Sequence, residues 1–218
     1  MSGGCHHQRM SSPLLGAPGA DNSVRPAREP DLEAIGAVHA ASWTGPYAQV
    51  LPPPLVAALT PAVLGEAWRT AVTSPPSARH RLHVAVGDGI VAGFAASAPV
   101  AAAGPDDGGP DAEAPAAVEV VALEVDPMHQ RRGHGSRLLA AVVDTSRADG
   151  AEEVHVWVHV DDAPRAGFYR GAGFDTDGAR RRRAVEGGDP HDARSVWPEV
   201  RLVASLLDPA PTDGGPTA

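Results

Sequence analysis

Six residues, Gln130-Arg131-Arg132-Gly133-His134-Gly135, carry the clearest chemistry in the chain. They stand between a β-patterned stretch and one with helical spacing, where a helix N-terminus points its free N–H groups at the turn. Gly133 and Gly135 remove side chains that would hold an anion away from the backbone. Arg131 and Arg132 add positive charge, and the helix dipole contributes a further ~0.3–1 kcal/mol for a nearby anion. The plain reading is an ordinary strand–turn–helix junction with incidental arginines; the chemical reading is a cradle for phosphates. Spacing narrows which phosphates. A dinucleotide fingerprint needs a third glycine where Leu138 stands, and a P-loop needs a Gly-Lys-Ser/Thr tripeptide that the chain lacks. A pyrophosphate on a carrier other than ATP or NAD fits better.

Histidines offer a second kind of chemistry. His155 and His159 share one strand face with Trp157, and His39 and His83 sit in apolar-patterned segments. None has the close ligand spacing of a zinc site, and the His6-His7 pair lacks a third ligand, so no metal is expected.

The elements that must position these residues follow from periodicity. Pro30-Asp31 opens a helix that places Leu32, Ile35, Val38 and His39 near one face and runs to Trp43. Pro46 and Pro52-Pro53-Pro54 break it. Helical stretches are expected at 55–60 and 61–72. Arg81–Val86 and Ile90–Ala96 form a hairpin around Gly87-Asp88-Gly89. Residues 98–116 have no periodicity and read as a flexible surface loop. Ala117–Val125 is the clearest strand and ends at Asp126-Pro127. A helix from near Gly133 carries Leu138, Leu139, Val142 and Val143, and Gly150 closes it. A strand at 154–160, a short helix at 165–170 and late strands at 179–185 and 199–205 complete an α/β pattern with a mixed sheet.

Composition bounds the rest. The 218 residues fit one domain at 23–207, with tails at 1–22 and 208–218 too poor in apolar surface to repay ordering. Net charge is −9, from 18 basic and 27 acidic side chains, which disfavours nucleic acid and anionic membrane and mildly favours cationic partners. Arg180 to Arg183 form a basic run inside that acidic whole. With Cys5 as the single cysteine no intrachain disulfide is possible. No apolar run reaches the ~18–20 residues that span a bilayer, and the N-terminus lacks an apolar signal core. A cytoplasmic location is the expectation.

Residues 118–139, VEVVALEVDPMHQRRGHGSRLL, resemble the acyl-CoA-binding motif of the GCN5-related N-acetyltransferase (GNAT) superfamily. Phe168-Tyr169-Arg170-Gly171-Ala172-Gly173-Phe174 resembles its Phe-Tyr-x-x-x-Gly-Phe segment. The Trp43…Tyr47…Leu51-Pro52 pattern with Leu55 is similar to a bacterial branch described as general or polyamine acetyltransferases. The resemblance covers about residues 24–207.

It implies a central mixed, mostly antiparallel twisted sheet flanked by helices, with two central strands splayed. Acetyl-CoA would be the acyl donor, its phosphates held at Gln130, Arg131, Arg132, Gly133, His134, Gly135 and Ser136. Backbone near Leu123, Glu124 and Val125 would hold the pantetheine arm, with Asp162 and Phe168 contributing. A primary amine of a small molecule would attack the thioester directly. Tyr169 matches the tyrosine that protonates the departing thiolate, a job a phenol can do for a thiol of pKa about 8.5; packing beside Phe168 is its plainer role. The base is Glu119, Glu124 or a water chain, with Glu119 favoured. In a regular strand Glu119 and Glu124 face opposite sides, and a bulge would change that. Trp43 and Tyr47 stand where the family places its acceptor wall, able to seat a charged amine by cation–π contact, or Trp43 anchors the first helix. Trp157 lines the acceptor slot or packs in the core.

The family's Asn-x-x-Ala is replaced by Asp162 and Arg165, and an ionised Asp can accept but not donate the corresponding bonds. Transfer to a protein N-terminus or lysine, and a silent acyl-CoA-binding module, are the rival readings. Strand 199–205 is a candidate edge for a homodimer.

Overall fold

A computed structural model describes residues 22–45, 47, 51–100, 117–184 and 196–207. The expected tails, apart from Asn22, and most of the expected 98–116 loop therefore lie outside the described residues. In chain order the elements are β1 (Ser23–Pro26), α1 (Leu32–Thr44), α2 (Pro53–Ala58), α3 (Pro61–Ala67), α4 (Arg69–Thr73), β2 (Arg81–Gly87) and β3 (Ile90–Pro99). Then come β4 (Ala117–Val125), α5 (His134–Ala148), β5 (Glu153–His159), α6 (Ala163–Gly171), β6 (Asp175–Ala184) and β7 (Val196–Ser205). A 3-10 turn at Glu29–Asp31 precedes α1, and another at Pro127–His129 follows β4.

Seven strands form one sheet in the order β1-β2-β3-β4-β5-β7-β6. Every neighbouring pair is antiparallel except β4 and β5. The sheet is therefore mixed and mostly antiparallel, as the resemblance implies. β7 lies inside the sheet, between β5 and β6, so it is not the free edge expected for pairing two copies. The reason is the hairpin return: β6 runs out along the far side of β7 and takes the edge itself. The single expected helix at 61–72 is two, α3 and α4, joined at Trp68.

Apolar alternation splits the core between the two sheet faces. Ala85, Ala95, Val118, Val120, Val154 and Val156 join Leu138, Leu139 and Val142 of α5 and Tyr169 of α6. On the other face Leu82, Val84, Phe94 and Ala96 meet Ile35 and Val38 of α1. α1 and α3 cross at two glycines. A Cβ on Gly36 would lie 2.1 Å from the Pro61 carbonyl oxygen, and one on Gly65 would lie 2.7 Å from that of Leu32. Only glycine permits that approach, and the crossing seats α3 on α1, which itself packs on the sheet.

Two irregularities in β4 shape the middle of the molecule. Ala96 opposes Ala122 and Ser97 opposes Val120, so Val121 is bulged out of the ladder and stands 54% exposed. The second concerns β5. It pairs with β4 only from Ala117–Glu153 to Val120–Val156, although both strands continue, to Val125 and His159. Beyond Val120 the strands part and leave a gap in the sheet.

Candidate active site

The turn after β4 is held open by its own backbone. Asp126 accepts from the Met128 amide at 2.7 Å, closing the 3-10 turn. Arg131 (φ 63°) and Gly133 (φ 81°) then adopt left-handed conformations that swing the chain into α5. Gln130, Arg131, Arg132, Gly133, Ser136 and Arg137 are all exposed, and the Arg137 guanidinium lies beside Gly133. His134 is different. Its side chain is buried, and a Cβ on Gly87 would lie 2.6 Å from its ring. The ring thus packs on the β2–β3 hairpin, leaving only its backbone at the turn. Burial, then Arg137, lowers its pKa.

The face of Gly135 looks toward α6. A Cβ there would sit 3.6 Å from the Phe168 ring and from Val125 Cγ2, which brings the turn, the end of β4 and the Phe168-Tyr169 pair together. A groove of about 530 Å³ runs on between α5 and α6, with Ser136, Phe168 and Phe174 in its walls. Gln130 Nε2 donates to the Val125 carbonyl at 3.4 Å, tying the turn to β4.

Across the gap lies a second cavity of about 400 Å³. The bulge at Val121 restores what a regular strand would deny: Glu119 and Glu124 both reach it, while Val118, Val120 and Leu123 all turn to the α5 face. All four tryptophans of the chain, Trp43, Trp68, Trp157 and Trp197, line it, with Tyr47 and His39. Trp43 stacks on Trp197 at 5.7 Å with planes 20° apart. Trp157 has the Arg181 guanidinium over its ring at 4.3 Å. Trp68 Nε1 donates to His39 Nδ1 at 3.1 Å, and burial keeps the His39 pKa below its ordinary value.

The cavity carboxylates have partners. Glu124, buried, accepts a two-pronged bond from Arg165, with Nη1 3.0 Å from Oε1 and Nη2 2.8 Å from Oε2. Trp43 Nε1 lies 3.4 Å from the same Oε1. Glu119 is half-buried with Arg181 at 3.8 Å, and Arg181 donates to Glu199 at 2.5 Å across the β6–β7 ladder. Burial opposes the charge on Arg165, Glu124 supports it, and the net effect raises its pKa.

Asp162 caps α6, accepting from the Arg165 amide at 3.0 Å, and its other oxygen accepts from the Tyr47 hydroxyl. Both oxygens thus serve protein groups, and the Tyr47 contact ties that residue to the start of α6. Tyr169 is 1% exposed, between Phe168 and Phe174. Burial pushes its hydroxyl well above the usual phenol pKa; Arg165 pulls the other way, and Glu124 and Asp162 add to the rise.

Of the residues that sequence reasoning named, Trp43, Tyr47, Trp157, Glu119 and Glu124 line this one cavity. That reasoning assigned no site role to Trp68, Trp197, Arg165, Arg181 and Glu199. The scarcity of aromatic residues was the available signal, since 4% Phe, Trp and Tyr makes each one worth placing. Among the described residues no cluster of three His, Cys, Asp or Glu could hold a metal.

Residues 54–174 match the acetyltransferase (GNAT) family. The chain belongs to that family. A 56-residue stretch is 48% identical to the mycothiol acetyltransferase of Clavibacter michiganensis subsp. michiganensis, covering 26% of this chain and 18% of that protein. The chain thus matches less than a fifth of the length of this curated relative. Two solved structures share the fold. The PaiA N-acetyltransferase of Thermoplasma acidophilum, in complex with coenzyme A, superposes with a TM-score of 0.57 at 17% identity, over 84% of this chain and 98% of that one. The ribosomal-protein-S18-alanine N-acetyltransferase of Escherichia coli gives 0.57 at 15%, over 88% and 97%.

Proposed function

We propose that the chain is an acetyl-CoA-dependent N-acetyltransferase that acetylates a primary amine of a small molecule by direct attack. The observation that carries this is the gap between β4 and β5. It lies between an exposed, glycine-lined, arginine-flanked turn and an aromatic cavity lined by Glu119, Glu124 and Glu199. The turn suits a diphosphate: nothing but hydrogen stands on Gly133 and Gly135, and the arginines around them are exposed. Family membership supports the donor, as does the coenzyme A complex of the PaiA protein that shares the fold.

Bound acetyl-CoA supplies an activated acetyl thioester, and the new C–N bond forms as the C–S bond breaks. The turn from Gln130 to Ser136 holds the diphosphate by backbone amides and charge. The β5-facing edge of Leu123, Glu124 and Val125, without a strand partner, holds the arm, and Phe168 packs beside it. Glu119 takes the proton the amine must lose, directly or through water. Glu124 is the weaker base candidate, because the Arg165 fork fixes both its oxygens. Tyr169 is protonated at neutral pH and can share its proton with the sulfur as the C–S bond breaks; its raised pKa opposes full transfer and favours a hydrogen bond to the departing thiolate. Trp43, Tyr47 and Trp157 form walls for the acceptor. Asp162 acts by capping α6 and holding Tyr47 in place.

A cavity of about 400 Å³ is of the size that encloses a small molecule, which favours small acceptors over protein chains. The test measures CoA release when acetyl-CoA meets a broad panel of small amines and of peptides with free N-termini. Release with small amines is expected. Release with peptides alone would assign a protein substrate, and acetyl-CoA binding without turnover on either would mark a silent module.

A further inference from the structure

We infer that the acceptor is a primary amine carried on a flat or bulky apolar body, and that a polyamine is a poor substrate; this rests on the acetyl-transfer reading above. A polyamine is a chain of separated positive charges, and its site must offer uncompensated carboxylates or open aromatic faces. Among the described residues this cavity offers one loosely paired carboxylate and aromatic faces that are already engaged. Its described lining holds three carboxylates, Glu119, Glu124 and Glu199, and three guanidiniums, Arg165, Arg181 and Arg183. Arg165 forks onto Glu124 at 2.8 Å. Arg181 binds Glu199 at 2.5 Å and stands 3.8 Å from Glu119. A second ammonium brought inside would meet paired acids and the two held guanidiniums of Arg165 and Arg181, with the exposed Arg183 in the same lining.

The aromatic faces are also committed. Arg181 covers Trp157 at 4.3 Å, and Arg201 stands 5.7 Å from the same ring. Trp43 and Trp197 stack on each other, and Tyr47 meets Trp197 edge-on at 5.2 Å. What these rings leave toward the cavity is apolar edge and surface. Leu51, Leu55, Leu59 and Leu64 complete that wall. All four tryptophans are only half-buried, so the cavity keeps apolar area in water that an apolar body would remove. Of the three acids, Glu119 has the longest arginine contact, which leaves one carboxylate able to receive a single ammonium.

The test compares kcat/KM for 2-phenylethylamine and tryptamine with that for spermidine, with acetyl-CoA saturating. The expected result is at least a tenfold preference for the arylalkylamines. In Arg181→Met, Glu119 and Glu199 lose their shared partner, and the preference is expected to move at least tenfold toward spermidine. Acetyl-CoA affinity, measured by calorimetry on the same variant, reports whether the fold survives. Should that variant fail to fold, Trp68→Ala provides a second arm, with a KM rise for tryptamine and none for spermidine. Spermidine equal to or better than the arylalkylamines in the unmodified protein would overturn the inference and leave acetyl transfer standing. Absence of acetyl-CoA binding in the unmodified protein would instead overturn the reading beneath it.

Discussion

Tyr169 has its hydroxyl in the combined field of Arg165, Glu124 and Asp162, sealed from bulk water by Phe168 and Phe174. A phenol in that position stays protonated at neutral pH and can hydrogen-bond to the sulfur and share its proton as the C–S bond breaks, while its raised pKa makes it a weaker acid than a free phenol. Tyr169→Phe keeps the ring and its packing and removes only the proton. Turnover is expected to fall about 10²-fold, with acetyl-CoA affinity changed by less than a factor of three. Equal turnover would remove Tyr169 from the reaction. Arg165 plays a different part. Truncating it leaves the buried Glu124 carboxylate alone, and losing one partner of a buried pair costs about 3–5 kcal/mol. Arg165→Ala should therefore lower the melting temperature sharply, whereas a loss of activity at unchanged stability would give Arg165 a role in the chemistry itself.

Among the elements, β4 decides the most. Its apolar run made it legible as the central strand, and its bounds fall where periodicity placed them. The bulge at Val121 was legible only as an open alternative, because a single inserted residue leaves an apolar pattern of Val and Ala unchanged. That residue brings Glu119 and Glu124 to one cavity. The turn was legible because glycines at fixed spacing before a helix have few other uses. Arg165 and Arg181 were not, since nothing in a short polar helix or a basic edge strand says which acid each will meet. The crossing of α1 and α3 gives this scale its own prediction. Gly36→Ala drives a methyl into the Pro61 carbonyl and the Gly65 amide, both backbone. Overpacking of this kind costs about 1–3 kcal/mol. Because Leu59 and Leu64 line the cavity, KM for the acceptor should rise while acetyl-CoA affinity holds. An unchanged melting temperature would show that the helices can separate freely.

At the scale of the whole molecule, the net charge of −9 proved a poor guide to the site, which balances its acids with arginines. Four tryptophans from α1, the α3–α4 junction, β5 and β7 converge on one cavity, and that convergence is a property of the sheet order, invisible along the chain. Stability should depend on pH through buried histidines. Burial lowers the pKa of His39, His83 and His134 in the fold, while the unfolded chain protonates them near 6.5. Below about pH 6.5 the unfolded state thus binds more protons, and stability falls with pH until the folded values are reached. Asp31 and Asp149 act in a lower window. Arg25 and Arg81 depress their pKa values, so their contribution is intact above about pH 4 and disappears as pH drops through the folded values. Thermal melts should show a lower Tm at pH 5.5 than at 7.5. His83→Phe, which removes a buried ring whose Nδ1 has no partner, should flatten that slope; an identical slope would assign it to other groups.

The central claim is that one continuous passage links the turn at 130–136 to the tryptophan-lined cavity through the parted strands. A crystal structure of the protein with coenzyme A tests it most directly. The diphosphate is expected on the amides that open α5, and the sulfur in the gap between Val121–Val125 and β5, within reach of the Tyr169 hydroxyl and open to Glu119. A diphosphate bound away from that turn, or a sulfur separated from the cavity by packed side chains, would contradict the account.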